Sequence, residues 1–128
     1  MKQITTQKMN LQKQNLREDA EKMADEYAHA VYRVTKKFPK EEIYGLTSQL
    51  RRSASSVPIN LIEGYARAKE SSKTYAHFVW ISYGSLKESQ YILSFSHSEG
   101  YLSDEDIKTL QAIGGQIGAM LWTLATKC

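Results

Sequence analysis

Apolar residues recur at helical spacing along most of the chain, and no stretch alternates as a strand would. The first stripe, Leu16, Ala20, Met23, Tyr27, Val31, Val34 and Phe38, predicts a helix over about 16–38. Asn15 with Glu18 has capping-box spacing at its start, while Lys36, Lys37 and Pro39 suit its end. A second helix, about 43–68, carries Leu46, Leu50, Ser53, Val57, Leu61, Gly64 and Ala68 on one face. Ile59, Ile62 and Ala66 make part of its far face apolar again. A third, about 73–98, is capped by Ser71 or Ser72 and holds Tyr75, Phe78, Val79, Ile81, Tyr83, Leu86, Ile92, Leu93 and Phe95. Trp80 and Tyr91 widen that stripe past one face, and Gly100 fits the position after the helix end. Ser103 and Asp106 cap a fourth, about 104–126, with a seam of Ile107, Leu110, Gly114, Ile117, Leu121 and Leu124. Short connections between four such helices predict an all-α, antiparallel up-down-up-down four-helix bundle. Apolar positions on two sides of the second and third helices predict that the bundle also self-associates.

Three local features refine this picture. Pro58 removes an amide donor and crowds the carbonyl of Ala54, at a cost of about 3 kcal/mol in a helix interior. The stripes keep their phase across it, so the second helix is expected to continue, kinked near Pro58. Gly84 lies in the middle of the third helix and is expected to permit a close helix approach; Gly114, Gly115 and Gly118 thin one face of the fourth. Residues 1–14 are rich in Lys and Gln without a sustained stripe. They read as a flexible N-terminal arm, with a helical extension as the alternative, ahead of a bundle formed by residues 15–128.

With 128 residues, 41% hydrophobic and 24% charged, the chain has the composition of one soluble domain. No apolar run reaches the roughly 18 residues of a membrane span, and no signal-peptide core is present. A cytoplasmic location without a membrane partner is therefore expected. The single cysteine, Cys128, is expected to form no internal disulfide. The net charge of +3 is unevenly spread: residues 1–40 hold nine Lys/Arg against five Asp/Glu, and residues 74–128 hold three against five. One end or face should thus be more basic than the rest.

Candidate chemistry is sparse. Glu26 and His29 form one Glu-x-x-His, but a di-metal bundle site needs two with further glutamates, so no cofactor is expected. No nucleophile elbow or phosphate-cradling glycine loop occurs, and the chain is expected not to be an enzyme. The strongest anomaly is a polar stripe on the second helix: Gln49, Arg52, Ser56, Asn60 and Glu63, running on to Arg67. One reading is a structural network or oligomer interface in which Gln49, Asn60 and Glu63 meet Arg52 or Arg67. The other gives Arg51, Arg52 and Arg67 nucleic-acid phosphates to bind, with Lys36, Lys37, Lys40, Lys69 and Lys73 as a basic rim. In a ring, Lys36, Lys37, Lys40, Arg51 and Arg67 would gather on one rim or pore.

The run from Val31 to Arg67, followed by "SYGSLKES" and "SEGYLSDED", resembles the four-helix-bundle proteins encoded in intervening sequences of 23S ribosomal RNA genes. The matching positions include Phe38-Pro39, Gly45-Leu46, Gln49, Arg51-Arg52, Ser56, Asn60, Glu63-Gly64, Gly84-Ser85-Leu86, Glu88 and Gly100-Tyr101-Leu102. The sequence departs from that pattern at Ser89, where a leucine is typical, and in lacking an aromatic early in the first helix. The resemblance implies a bacterial bundle that assembles as a ring, a homopentamer, without a defined enzymatic activity. It also implies a fold similar to the accessory variability determinant of diversity-generating retroelements, a basic pentameric barrel that binds a reverse transcriptase and nucleic acid. The expectation is a non-enzymatic homo-oligomeric scaffold associated with RNA through basic surface residues. The alternative is a protein-binding adaptor that docks a polymerase or reverse transcriptase without touching nucleic acid.

Overall fold

A computed structural model describes residues 2–127, with side chains placed for Gln7, Lys8 and the residues from Leu11 onward. Met1 and Cys128 lie outside the described residues, and with Cys128 the expectation about its disulfide. Four helices follow one another: α1 (Lys2–Thr35), α2 (Leu46–Ala66), α3 (Ser72–Ser98) and α4 (Asp104–Thr126). A single 3-10 turn, Lys40–Glu42, lies between α1 and α2. Helical backbone over residues 2–14 is the helical alternative of the sequence reading, where a flexible arm was the first expectation. Lys and Gln are good helix formers and nothing in that stretch stops a helix.

The helix ends follow local chemistry. Thr35 turns its hydroxyl back onto the carbonyls of Val31 (2.8 Å) and Tyr32 (3.1 Å), and α1 stops there, short of Phe38. Residues 36–38 then wind with i→i+3 bonds until Pro39 forbids continuation. α2 begins at Leu46, later than Ile43, because Lys40–Glu42 form the 3-10 turn; the Glu42 carboxylate accepts the Leu46 amide at 3.2 Å. Ser71 caps α3 through the Thr74 amide, and Ser103 caps α4 through that of Asp106, both at 3.1 Å. After α3, Gly100 adopts φ +84°, so Tyr101 and Gly100 donate back to the Ser96 and His97 carbonyls.

Each helix packs against two others, in the cyclic order α1, α2, α3, α4. Contacts of α2 with both neighbours run in opposite senses: Arg17 meets Tyr65 while Arg51 meets Thr35, and Gly64 lies by Phe78 while Arg52 reaches Glu88. The core fills with Tyr27, Val31, Leu50, Val57, Leu61, Leu86, Leu93, Ile117, Leu121 and Leu124, all essentially without solvent exposure. The predicted seams supply these residues. Ile81 and Phe95, assigned to the α3 stripe from sequence, instead face solvent.

The α2–α3 seam is made of small residues. A Cβ on Gly64 would lie 2.6 Å from that of Phe78, so these backbones meet where only glycine fits. Ser82 donates to the Val57 carbonyl at 2.9 Å, beside Pro58, through which α2 runs unbroken. Ser89 donates to the Leu86 carbonyl at 2.7 Å and lies 2.8 Å from the Tyr27 hydroxyl, which therefore donates to it. This bond explains the departure at Ser89: a leucine there would strand the buried Tyr27 hydroxyl. Burial pushes the Tyr27 phenol up to about 12.

Ser89→Ala should therefore cost about 1–3 kcal/mol in urea unfolding, because it leaves the Tyr27 hydroxyl buried without an acceptor. Combined with Tyr27→Phe it should cost less than the two single changes summed; strict additivity would refute the bond. The neutral phenol is the form the fold favours, so its stability contribution is complete below the ordinary tyrosine range and lost as pH rises toward 12. Tyr27→Phe should flatten that alkaline decline. Gly64→Ala should destabilise by about 1–3 kcal/mol through overpacking against Phe78, despite alanine's better helix propensity.

Candidate functional site

The polar stripe of α2 does not form a closed network within the chain. Ser56 pairs with Ser85 of α3 at 2.9 Å, and the Asn60 amide donates to the Ser56 hydroxyl and carbonyl, each at 2.9 Å. Arg52 reaches Glu88 of α3 at 3.2 Å, with side chains 68% and 48% exposed. Gln49 and Glu63 are exposed, and among the described residues their side chains make no hydrogen bond or ion pair. The stripe is thus a half-open seam between α2 and α3. Its cationic member is paired by Glu88, which the reading of α2 alone did not single out. Glu88 shares a side of α3 with Ser85 and Ile81, at helical spacing, and that is the signal that could have found it.

The candidate cations fall at two ends of the bundle. Lys36, Lys37, Lys40 and Arg51 lie where α1 ends and α2 begins. Arg51 donates to the Thr35 hydroxyl at 2.8 Å and to the Tyr32 carbonyl at 3.5 Å, with its guanidinium 4.6 Å from the Tyr32 ring centre. It clasps the C-terminal end of α1, where a cation is favoured by the exposed carbonyls. Lys37 lies 3.8 Å from Asp106. Arg67, Lys69 and Lys73 lie at the opposite end, with Arg67 over the Phe78 ring at 5.4 Å. Sixteen residues of helix separate Arg51 from Arg67, about 24 Å at the α-helical rise. The single rim expected for Lys36, Lys37, Lys40, Arg51 and Arg67 is therefore not formed: Arg67 belongs to the other end.

Sequence reasoning missed Arg17. Its side chain is 13% exposed, lies 3.7 Å from the Tyr65 ring centre, and is paired with Glu21 and, at 3.5 Å, Glu18. The i,i+4 spacing to Glu21 was the available signal. Arg17 and Lys13 line a cavity of about 310 Å³ with Tyr65, Ser72 and Tyr75, between residues 13–17 of α1 and the α2–α3 turn.

Large apolar side chains remain uncovered on all four helices, with Leu11 and Tyr32 on α1. Ile59 and Ile62 face outward from α2, and Trp80, Ile81, Tyr91 and Phe95 from α3. Trp122 of α4 lies edge-on to Trp80 with ring centres 5.2 Å apart, and Tyr83 completes the cluster. Gly84 on α3 and Gly115 on α4 have open space where a Cβ would stand, so neither serves a close approach inside the bundle. From Thr109 to Thr126 α4 has no charged residue, whereas the outer side of α1 carries Asp19, Lys22, Asp25, Glu26 and Arg33.

Two of the three histidines face carboxylates, His29 with Asp25 at 3.4 Å and His97 with Asp104 at 2.6 Å, and the third, His77, lies against the Phe78 ring. Among the described residues no three His, Cys, Asp or Glu side chains are placed to hold a metal, and no helix is long and apolar enough to cross a membrane. No curated protein matches the sequence. A solved structure, a protein of unknown function from the S23 ribosomal protein family of Bacteroides thetaiotaomicron, is similar in fold. It is 17% identical, with a TM-score of 0.78 over 86% of this chain and 97% of that one. Residues 17–123 match the family described as 23S rRNA-intervening sequence protein, and with the helical seams, the α2–α3 polar stripe and the four-helix bundle in place, the chain belongs to that family.

Proposed function

We propose that this protein is a non-enzymatic cytoplasmic scaffold that assembles with copies of itself into a ring and associates with RNA through basic surface residues. The observation that carries the assembly is the set of uncovered apolar side chains on α2, α3 and α4. Ile59 and Ile62 are 56% and 59% exposed and Trp122 is 53% exposed, on different sides of one bundle. A two-fold dimer needs one self-complementary patch, whereas a ring needs two unlike patches that meet head to tail. The Ile59–Ile62 face and the Trp80–Trp122 face supply two. The homopentamer implied by the family resemblance is the ring that we favour. An RNA partner is supported by the family's description and, among the described residues, by exposed lysines that make no ion pair.

A second reading, a protein-binding adaptor, is favoured by the Trp80–Tyr83–Trp122 cluster, since tryptophan and tyrosine are enriched where binding energy concentrates. Nuclease treatment of the native complex separates the two: a partner protein retained without RNA supports the adaptor.

Light scattering at micromolar concentration should give a multiple of 14.6 kDa; a stable monomer would refute the assembly, and a dimer would refute the ring. Gly84→Ala and Gly115→Ala should each stabilise the isolated bundle by up to about 1 kcal/mol, because the added methyl meets nothing inside it. The same changes should shift the oligomer toward monomer if these faces are covered in the assembly. Intact oligomer should bind structured RNA at low salt, with affinity falling steeply as salt rises. No binding at low salt would reject the RNA partner and leave the adaptor.

A further inference from the structure

The two ends of the bundle differ in charge in a way that net charge conceals. Where α1 ends and α4 begins, six carboxylates stand among the candidate lysines: Glu41, Glu42, Glu99, Asp104, Glu105 and Asp106. Lys37 is paired with Asp106 and Arg51 is committed to α1. The positive N-terminal end of α4 is covered by three acids in its first turn. The Tyr101 hydroxyl, which donates to Glu42 at 3.3 Å, reports the same field: burial raises its pKa first, and Glu42, Glu99 and Glu41 raise it further.

The opposite end is built differently. Lys13 from within α1, Arg67 and Lys69 from the end of α2 and the turn after it, Lys73 from the start of α3 and Lys127 from the end of α4 gather there. Glu70 of the α2–α3 turn is the acid beside them. Among the described residues none of the five is in an ion pair. The first turn of α3 carries no acid, so its amide end adds to the positive field. Arg17 contributes little of it, being neutralised by Glu18 and Glu21. Lys13 lines the cavity of about 310 Å³ at this end, and Lys69 lines the adjoining recess beside Tyr65, so the surface is concave as well as basic. Because Lys13 sits level with the end of the bundle, the preceding turns of α1 continue past it, about 17 Å of helix from Lys2, with Lys8 exposed on it.

We propose that only this end, through Lys13, Arg67, Lys69, Lys73 and Lys127, takes the phosphate backbone of structured RNA, and that the Lys36–Lys40 end does not. The proposal rests on the RNA reading above and assigns it a place. Cyclic symmetry sets equivalent residues of every copy at one height along the ring axis, so the five cations of each copy add on a single tier. A weakly basic monomer thereby presents a strongly basic rim.

The test is fluorescence anisotropy of a labelled RNA hairpin with the full-length oligomer across a salt series. Lys13→Gln, Lys69→Gln and Lys73→Gln are combined in one variant, and Lys36→Gln, Lys37→Gln and Lys40→Gln in another. Each removes three exposed charges per chain, and unchanged melting and particle size confirm that both fold. The first variant should bind about tenfold or more weakly and flatten the salt slope by about 0.9 for each phosphate that is no longer neutralised. The second should stay within about threefold of wild type. Equal losses, or a larger loss in the second, would overturn the end assignment while leaving RNA binding intact. Absence of wild-type binding would overturn the RNA reading and the proposal together. Displacement of the hairpin by poly-glutamate of equal charge would assign the end to acidic protein segments instead, and overturn the choice of RNA.

Discussion

The close approach of α2 and α3 sets much of what this molecule can do. Gly64 against Phe78, Ser82 on the Val57 carbonyl and Ser56 against Ser85 form a seam with room for little beyond hydroxyls and backbone. Small residues on the facing sides leave the large ones elsewhere. Val57 and Leu61 of α2, and Leu86 and Leu93 of α3, go to the centre; Ile59, Ile62, Trp80, Ile81, Tyr91 and Phe95 are left outside. Scattered exposed apolar residues are ordinary, but here they concentrate on helices whose inner sides are already satisfied. The tightness of one seam and the stickiness of the outer faces therefore share a cause.

Much of this was legible in the sequence, because helical periodicity and capping chemistry are local. The seams of α1 and α4, the serine caps and the Gly100 turn all follow from spacing and residue type. The boundary at Ile43 failed because a 3-10 turn has no signature distinct from a first helical turn, until the Glu42 carboxylate is seen accepting the Leu46 amide. Gly84 was assigned to close packing because a mid-helix glycine has that role most often; only the direction it faces shows otherwise. Ser89 looked like a defect until Tyr27, sixty-two residues away, supplied its reason.

The candidate site was legible in its residue types and not in its geometry. A polar stripe on one helix says nothing about who sits opposite, so Glu88 as the partner of Arg52 had to wait for α3 to be placed. The basic residues suffered a related loss: Arg51 and Arg67 belong to one helix and one stripe region, yet 24 Å of helix, roughly, divides them between two ends. Regional charge counts pointed to the first forty residues as most basic, but α1 spans the whole bundle and distributes those charges to both ends. What separates the ends is the placement of acids from the α1–α2 turn and the α3–α4 turn, which only the folded topology brings together.

Assembly and electrostatics then become one problem. An exposed lysine on a chain of net charge +3 attracts a polyanion weakly and is screened within about 8 Å at physiological salt. Affinity for RNA at that ionic strength needs several phosphates neutralised at once, and one bundle end offers too few cations for that. Repetition around a ring supplies the number without any new residue, provided that the outer faces of α2, α3 and α4 bring the copies together. The same repetition at the acid-containing end multiplies a near balance of charges and gains almost nothing. Self-association through apolar faces is thus the step that would turn a modest asymmetry within one chain into a surface with two chemically distinct rims.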